Sequence, residues 1–300
     1  MFDCVGIGIC AVDYLCLLSH YPELDEKLDI TQFSFQGGGP VPTAMVTLSR
    51  LGAKTSYIGV IGDDNNGNFL LEQFAKEGVD TSAIIIDKNS STNQAFIWID
   101  NISGKKTIAL NNNRIKKLLS TDLSKNLITS TRFLHVDGRE TEPTLVAINC
   151  AKKSGAKVVL DAGSPRKNMK QILKLVDYPI VSENFCNIYL KTTNFDEGLE
   201  KLLKTGAKAA VITCGEKGCY GVENNSEVIY QPAYNVEVVD TTGAGDVFHG
   251  AFIFGLIQNW GLAENLRFAA ATAAIKCTQL GGQVGIPNLN SVRELLNIHS

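Results

Sequence analysis

An excess of charge of either sign is what this chain most plainly lacks. Its 28 basic residues against 31 acidic ones leave a formal net charge of −3. Such a balance gives no electrostatic footprint for nucleic acid or an anionic membrane, so any anion-binding site must be local. No uninterrupted apolar run reaches membrane-spanning length. The first residues lack the basic lead-in of a secretory signal and carry Asp3 and Asp13 instead. Eight cysteines, at 4, 10, 16, 150, 186, 214, 219 and 277, show no C-x-x-C spacing. They read as small buried residues of a reducing cytoplasm rather than disulfides or zinc ligands. The motifs G-x-x-x-x-G-K-[ST], H-E-x-x-H and G-x-S-x-G are all absent, which removes P-loop, zinc-protease and serine-hydrolase readings. What remains is a chain 44% hydrophobic and 20% charged, able to bury a full core. Its 300 residues suit one large domain or one domain with an insertion.

The stretch most loaded with chemistry is Val239 to Gly250, VDTTGAGDVFHG. A short apolar run precedes it and a helix-compatible apolar segment, Phe248 to Trp260, follows. It therefore marks a strand turning into a helix. Gly243, Ala244 and Gly245 leave the backbone bare, so their N–H groups can face an anion at the helix N-terminus. Asp246 falls in the first turn, where the helix dipole favours its ionised form. An anion cradle beside a base is the equipment for phosphoryl transfer.

Elsewhere the chain punctuates itself. Leu51-Gly52-Ala53-Lys54, Ser154-Gly155-Ala156-Lys157 and Thr205-Gly206-Ala207-Lys208 each end a helical pattern with a glycine and then open a short apolar run. Those glycines suit the left-handed position just past a helix, and the runs suit buried parallel strands. The alternation predicts an α/β fold: a doubly wound, Rossmann-like, mostly parallel sheet with helices on both faces and ligands at the carboxyl ends of its strands. Lys27 to Phe35 alternates loosely, and QAFIWID and KTIAL flank the turn Asn101 to Gly104 as a hairpin would. These two regions predict a small sheet standing off the main body. The expected division is a large α/β domain of residues 1–12, 37–90 and 114–300, with a β-sheet lid of residues 13–36 and 91–113. Phe96 and Trp98 on so thin a sheet favour burial against a partner. One rival motif, Gly6-Ile7-Gly8-Ile9-Cys10-Ala11, fits the dinucleotide fingerprint G-x-G-x-x-A and would imply an NAD-dependent oxidoreductase if a helix opened at Gly8.

DTTGAGD resembles the C-terminal signature of the ribokinase-like (PfkB) sugar kinases. GGGPVPTAMVTLSRLGA (37–53), followed by GVIGDDNNG (59–67), resembles that family's N-terminal signature. The resemblance implies an ATP-dependent sugar kinase, with Asp246 as general base and the Gly243–Gly245 amides as anion hole. It implies sugar binding by Asp13, Gly37, Gly38 and Gly39, and a lid that often also forms the dimer contact. Thr213-Cys214-Gly215-Glu216-Lys217-Gly218 is similar to the family's nucleotide loop, giving Thr213, Gly215 and Gly218 contact with ATP. Gly281 to Gly285 resembles the closing loop at the adenine and cation sites, where Gly282 would meet the nucleotide. Asp240 and Thr242 would hold a monovalent cation, K⁺ in the family. Ser182 and Phe185 stand where the family carries the Asn and Glu of its N-x-x-E motif, which leaves Glu183 as the candidate for a water-mediated Mg²⁺ contact. Pro42 stands where the family usually has Asn, a departure that counts against ribose. The wording GGGPVPTA, DVFHGAF and KCTQLGGQVGIP is most similar to the sulfofructose kinase-like branch. That likeness implies an anionic substituent held by Lys27, Asn111 or Asn112, and Arg139. A sugar-binding regulator on the same fold is the other class that the sequence allows.

Overall fold

The computed structural model describes residues 1–112 and 114–298. The lid boundary expected at 113 and the chain's last two residues lie outside them. Among the described residues are fourteen strands. In chain order these are β1 Phe2–Ile7, β2 Ala11–Leu18, β3 Gln32–Gly38, β4 Thr55–Ile58, β5 Val60–Gly62, β6 Ile85–Asp87 and β7 Gln94–Asp100. They continue with β8 Lys106–Asn111, β9 Thr131–Val136, β10 Lys157–Ala162, β11 Tyr178–Ser182, β12 Ala209–Thr213, β13 Cys219–Glu223 and β14 Ile229–Gln231. Eight of them form one sheet in the order β14-β13-β12-β11-β10-β9-β1-β4. From β4 to β12 every pairing is parallel; β13 and β14 add an antiparallel edge. Helices cover both faces, so the inner strands are apolar on both sides, as with Val158, Val159 and Leu160. Two buried clusters result, one on each face of the sheet. The chain leaves β1 toward β4 in one direction and resumes at β9 on the other side. The topological switch point therefore lies between β1 and β9.

Gly52, Gly155 and Gly206 all take positive φ, at 103°, 85° and 101°, as the punctuation predicts. The hairpin β7–β8 also forms where expected. Other expectations need correction. Lys27 to Phe35 is not a strand: β3 begins at Gln32, and Lys27 lies exposed in the connection before it. The central lid strand is β2, which pairs antiparallel with β3 and parallel with β7. Asp13 therefore sits on β2 rather than in a loop after β1. Only Gly8, Ile9 and Cys10 separate β1 from β2, so no polar turn announces the break. The same residues rule out the dinucleotide motif, because Ala11 opens a strand and no helix starts at Gly8. A side chain at Gly6 or Gly8 would instead meet Val41 of the helix Pro40–Arg50. These glycines let that helix pack closely on β1.

The lid is the four-stranded sheet β3-β2-β7-β8. Its inner face carries Leu15, Leu17, Ala95, Ile97 and Ile99, packed with Leu280 of the main body. The register puts Asp13 opposite Gln36 and Lys106 opposite Ile99, all on this inner face. Phe33, Phe35, Phe96 and Trp98 stay partly exposed on the other face.

Candidate active site

Two helices that begin side by side carry the two glycine loops. The helix Ala244–Gln258 is buried through most of its length, Val247 to Gly255 without a break. A Cβ on its Gly250 would lie 2.6 Å from the Ala44 carbonyl of the helix Pro40–Arg50. The missing side chain lets the two axes approach, so both N-termini open at one end of the sheet. Pro40 occupies the first turn of its helix, where its fixed φ fits and its missing N–H costs nothing.

Gly243 caps the longer helix in the left-handed region, with φ 74°. Its carbonyl accepts the Val247 amide at 2.9 Å, while a Cβ at Gly245 would meet only open space. The Gly243–Gly245 turn thus presents bare backbone at a helix N-terminus. Asp246 stands beside it, half-buried. Its carboxyl is pushed well above the ordinary range, first by burial and then by the charge of Asp161; Lys106 and Lys276 act against the rise and Asp137 adds to it. Burial and the Asp161 charge thus work against the helix dipole, which favours the ionised form. A base whose proton comes off near neutrality is better matched to catalysis.

Asp13, 7% exposed, is the second carboxylate. Burial raises it to about 7, with Asp246 and Asp240 adding to the rise and Lys106 opposing it. A side chain on Gly38 would collide with the Asp13 carboxyl group. Gly38 therefore has to be bare for Asp13 to lie against the Gly37–Gly39 turn. Asp13, Asp246 and Lys106 form one electrostatic group that spans lid and body. Lys106 carries no motif; only the register of β8 reveals it.

The carboxyl ends of β9 and β10 supply the rear wall. Asp137, buried, accepts the Ile9 amide at 3.0 Å and the Arg139 amide at 2.9 Å. Asp161 accepts the Gly163 amide at 3.0 Å and lies 3.5 Å from His249. His249 and His135 are both buried, and burial holds each imidazole down at about 3. Both are neutral on that account, and the His135 Nε2 and His249 Nδ1 are buried without a partner. Arg139 and Asn93 line a pocket at the ends of β1 and β9 together with Lys116 and Asp137. The Arg139 Nε and the Asn93 Oδ1 are buried there without a partner. Burial and the nearby Arg166 both weaken Arg139's hold on its proton, so an anion there would relieve both. Arg166 has no motif to announce it either.

The other candidates spread along the same edge. Glu183 follows β11, and its carboxylate pairs with Lys217 at 3.0 Å. A pair so exposed is weak enough for a metal-bound water to displace. Among the described residues no group of three or more His, Cys, Asp or Glu is set to hold a metal. Thr213 closes β12, its hydroxyl 3.4 Å from the Val181 carbonyl. Gly215 and Gly218 take positive φ in the turn that follows. Gly282 lies against Gly243, whose ideal Cβ would come 2.8 Å from the Gly282 Cα. Asn111 is exposed at the lid edge and donates to Gln94 at 2.8 Å. The Asp240 carboxylate accepts the Thr242 amide and hydroxyl at 2.8 and 2.7 Å and the Gly281 amide at 2.7 Å.

One pH dependence follows from Asp246. A base here would act only when deprotonated, and the Asp246 proton comes off at higher pH than an ordinary carboxylic acid's. The expected rate constant kcat/KM therefore still climbs between pH 6 and pH 8, approaching tenfold per unit at the low end. An unshifted carboxylate would give a plateau from about pH 5.5. A pH–rate profile flat from pH 5.5 to 8 would contradict the raised value.

Known proteins match this chain over nearly its whole length. A family model described as "pfkB family carbohydrate kinase" matches residues 1–289. A ribokinase of Staphylococcus aureus is 30% identical over 97% of this chain and 98% of its own. The ketohexokinase of Mus musculus is 25% identical over 90% of this chain and 94% of its own. A crystal structure from E. coli, described as a candidate ribokinase II in complex with ATP and Mg²⁺, superposes with a TM-score of 0.89. It covers all of both chains at 21% identity.

Proposed function

Because this chain belongs to the pfkB family of carbohydrate kinases, we propose that it transfers the γ-phosphoryl group of ATP to a hydroxyl of a ketose-type sugar. The observation that carries the reading is Asp246 beside the open Gly243–Gly245 turn, near enough to Asp13 of the lid for its charge to raise the Asp13 carboxyl. The sugar lies between Asp13 with the Gly37–Gly39 turn on one side and Asp246 on the other. Asp246 takes the proton as the sugar oxygen attacks in line, and the Gly243–Gly245 amides stabilise charge on the transferring group. Lys106, on the inner lid face, adds a positive charge that acts on both carboxylates. Glu183 would hold Mg²⁺ through water, and the ion would supply charge neutralisation. Thr213, Gly215, Gly218 and Gly282 border the place of the nucleotide.

Substrate class is read from the rear pocket. Arg139, with an unpartnered buried Nε and Arg166 near it, favours an anionic substituent such as a sulfonate or phosphate. Lys27 and Asn111, both exposed, are the weaker parts of that reading. The test is ADP release across fructose, 6-deoxy-6-sulfofructose, fructose 6-phosphate, tagatose, ribose and adenosine, with Arg139→Ala alongside. The expected result is a preference for an anionic ketose that the variant loses. Turnover confined to neutral sugars, unchanged by the variant, would discard the anion clamp and keep the kinase. The partly exposed Phe33, Phe35, Phe96 and Trp98 support a homodimer joined through the lid. The eight cysteines, all free, suit a cytoplasmic location.

Asp13→Asn tests the sugar contact. It keeps the shape but loses a charged acceptor for hydroxyl groups, so the sugar KM should rise roughly tenfold to a hundredfold while the ATP KM stays close to wild type. Steady-state kinetics with each substrate varied in turn would show it. An unchanged sugar KM would remove Asp13 from the site.

A further inference from the structure

The residues expected to hold a monovalent cation do not fit one. Asp240 is fully buried, and its two carboxylate oxygens accept three hydrogen bonds from Thr242 and Gly281. The Thr242 hydroxyl donates one of them. The Asp240 main-chain carbonyl, the kind of oxygen that binds such a cation, accepts the Lys276 ammonium at 2.7 Å. Lys276 ends the helix Leu262–Lys276 and has no exposed surface. A lysine buried so completely is rare and costs desolvation unless its charge is used. Its burial weakens its hold on the proton, while the charges of Asp240 and Asp246 strengthen it. The next residue completes a clamp, because the Cys277 carbonyl accepts the Val239 and Asp240 amides at 2.8 and 3.1 Å. Gly281 and Gly282, which follow shortly after, bind the Asp240 carboxylate and pack on Gly243.

We propose that the Lys276 ammonium takes the place of a soluble monovalent cation, holding the Asp240 carbonyl and the anion-binding turn, so that this protein is independent of K⁺. The chemistry is an exchange of like for like: ammonium and K⁺ carry the same charge and both are bound by backbone carbonyl oxygens. A tethered ammonium is present at unit occupancy, whereas a dissolved ion must be bound from solution. It also sits at the carboxyl end of its helix, where a positive charge is favoured. Lys276 is thus a positioning residue, acting on phosphate through Asp240 and the Gly243 turn. Its consequence for catalysis rests on the kinase reading; its test does not.

The experiment compares wild type and Lys276→Met in choline, Na⁺ and K⁺ buffers of equal ionic strength, with two readouts. Calorimetry measures affinity for a non-hydrolysable Mg–ATP analogue, and thermal unfolding measures Tm without nucleotide. Wild type should show the same affinity, within about twofold, and the same Tm in all three buffers. The variant in choline should bind the analogue on the order of tenfold more weakly, one unit charge having been removed at short range. It should also melt lower, and K⁺ should restore most of both losses as a ligand of the folded state does. Tenfold tightening of the wild type by K⁺ would overturn the proposal. So would a folded variant indifferent to K⁺ in both readouts. Failure of the wild type to bind the analogue at all would count against the kinase reading, and the Tm comparison would still decide this one. Should the variant not fold, the wild-type comparison decides alone: K⁺ dependence overturns the proposal and K⁺ independence upholds it.

Discussion

Replacing Asp246 by asparagine leaves the protein folded and lowers turnover by about a hundred- to ten-thousand-fold, the range for a positioned general base. The substitution is nearly isosteric and keeps a polar group in the first turn of the helix. It removes the one function that an amide cannot supply, acceptance of the sugar's proton. The loss should therefore fall on kcat, with nucleotide affinity close to wild type. Stability should move the other way. The Asp246 carboxyl is raised in the folded protein, so its favourable contribution is full below pH 4 and is lost as the pH rises through its folded value. At pH 8 the ionised group opposes folding, and neutral asparagine relieves that cost. A variant at least as stable as wild type at pH 8, and nearly inactive, is the expected pair of findings. Functional sites characteristically exchange stability for chemistry in this way.

Gly243→Ala should be almost as damaging by a different route. The residue has φ 74°, a conformation that alanine adopts at a cost of about 1–2 kcal/mol. Its new Cβ would stand 2.8 Å from the Gly282 Cα and 3.1 Å from the Gly282 carbonyl oxygen. Both are backbone atoms, so no side-chain rotation relieves the contact and the two loops must part. Since the Gly243–Gly245 amides are aimed by that turn, turnover should fall by two to three orders of magnitude, as when an oxyanion donor is lost. Gly245→Ala, built into open space, makes the control for the fold alone: it should melt near wild type. Kinetics and melting curves of the two variants side by side would check this, and full activity in Gly243→Ala would contradict the packed turn.

The legible parts of this protein were those where local chemistry and fold coincide. The Gly243–Gly245 turn, the glycines 52, 155 and 206 and the β7–β8 hairpin each need a residue type that the sequence spells out. The α/β alternation follows from the same punctuation. Strand β2 was not legible, because a lid strand directly continuing β1 looks like one apolar run with an acid in it. The placement of Asp13 on that strand depends on pairing with β3 and β7, which are remote in sequence. Lys106, Arg166 and Lys276 were missed for a related reason. Lys106 reaches the site through register, Lys276 through helix packing and Arg166 from the loop after β10, and a lone lysine or arginine leaves no motif. The raised Asp246 carboxyl was not legible either, because its burial and the charge of Asp161, which arrives from another strand, exist only in the fold.

The measurement closest to the central claim is sugar-dependent ADP release from Mg–ATP by wild type and Asp246→Asn under identical conditions, with the sugar product analysed in parallel. Wild type should release ADP only when a sugar is present, one equivalent for each phosphate ester formed. Asp246→Asn should be at least about a hundredfold slower while binding the ATP analogue normally. A variant within a few-fold of wild type would contradict Asp246 as the base. ADP release without a phosphorylated sugar would contradict phosphoryl transfer to the sugar itself.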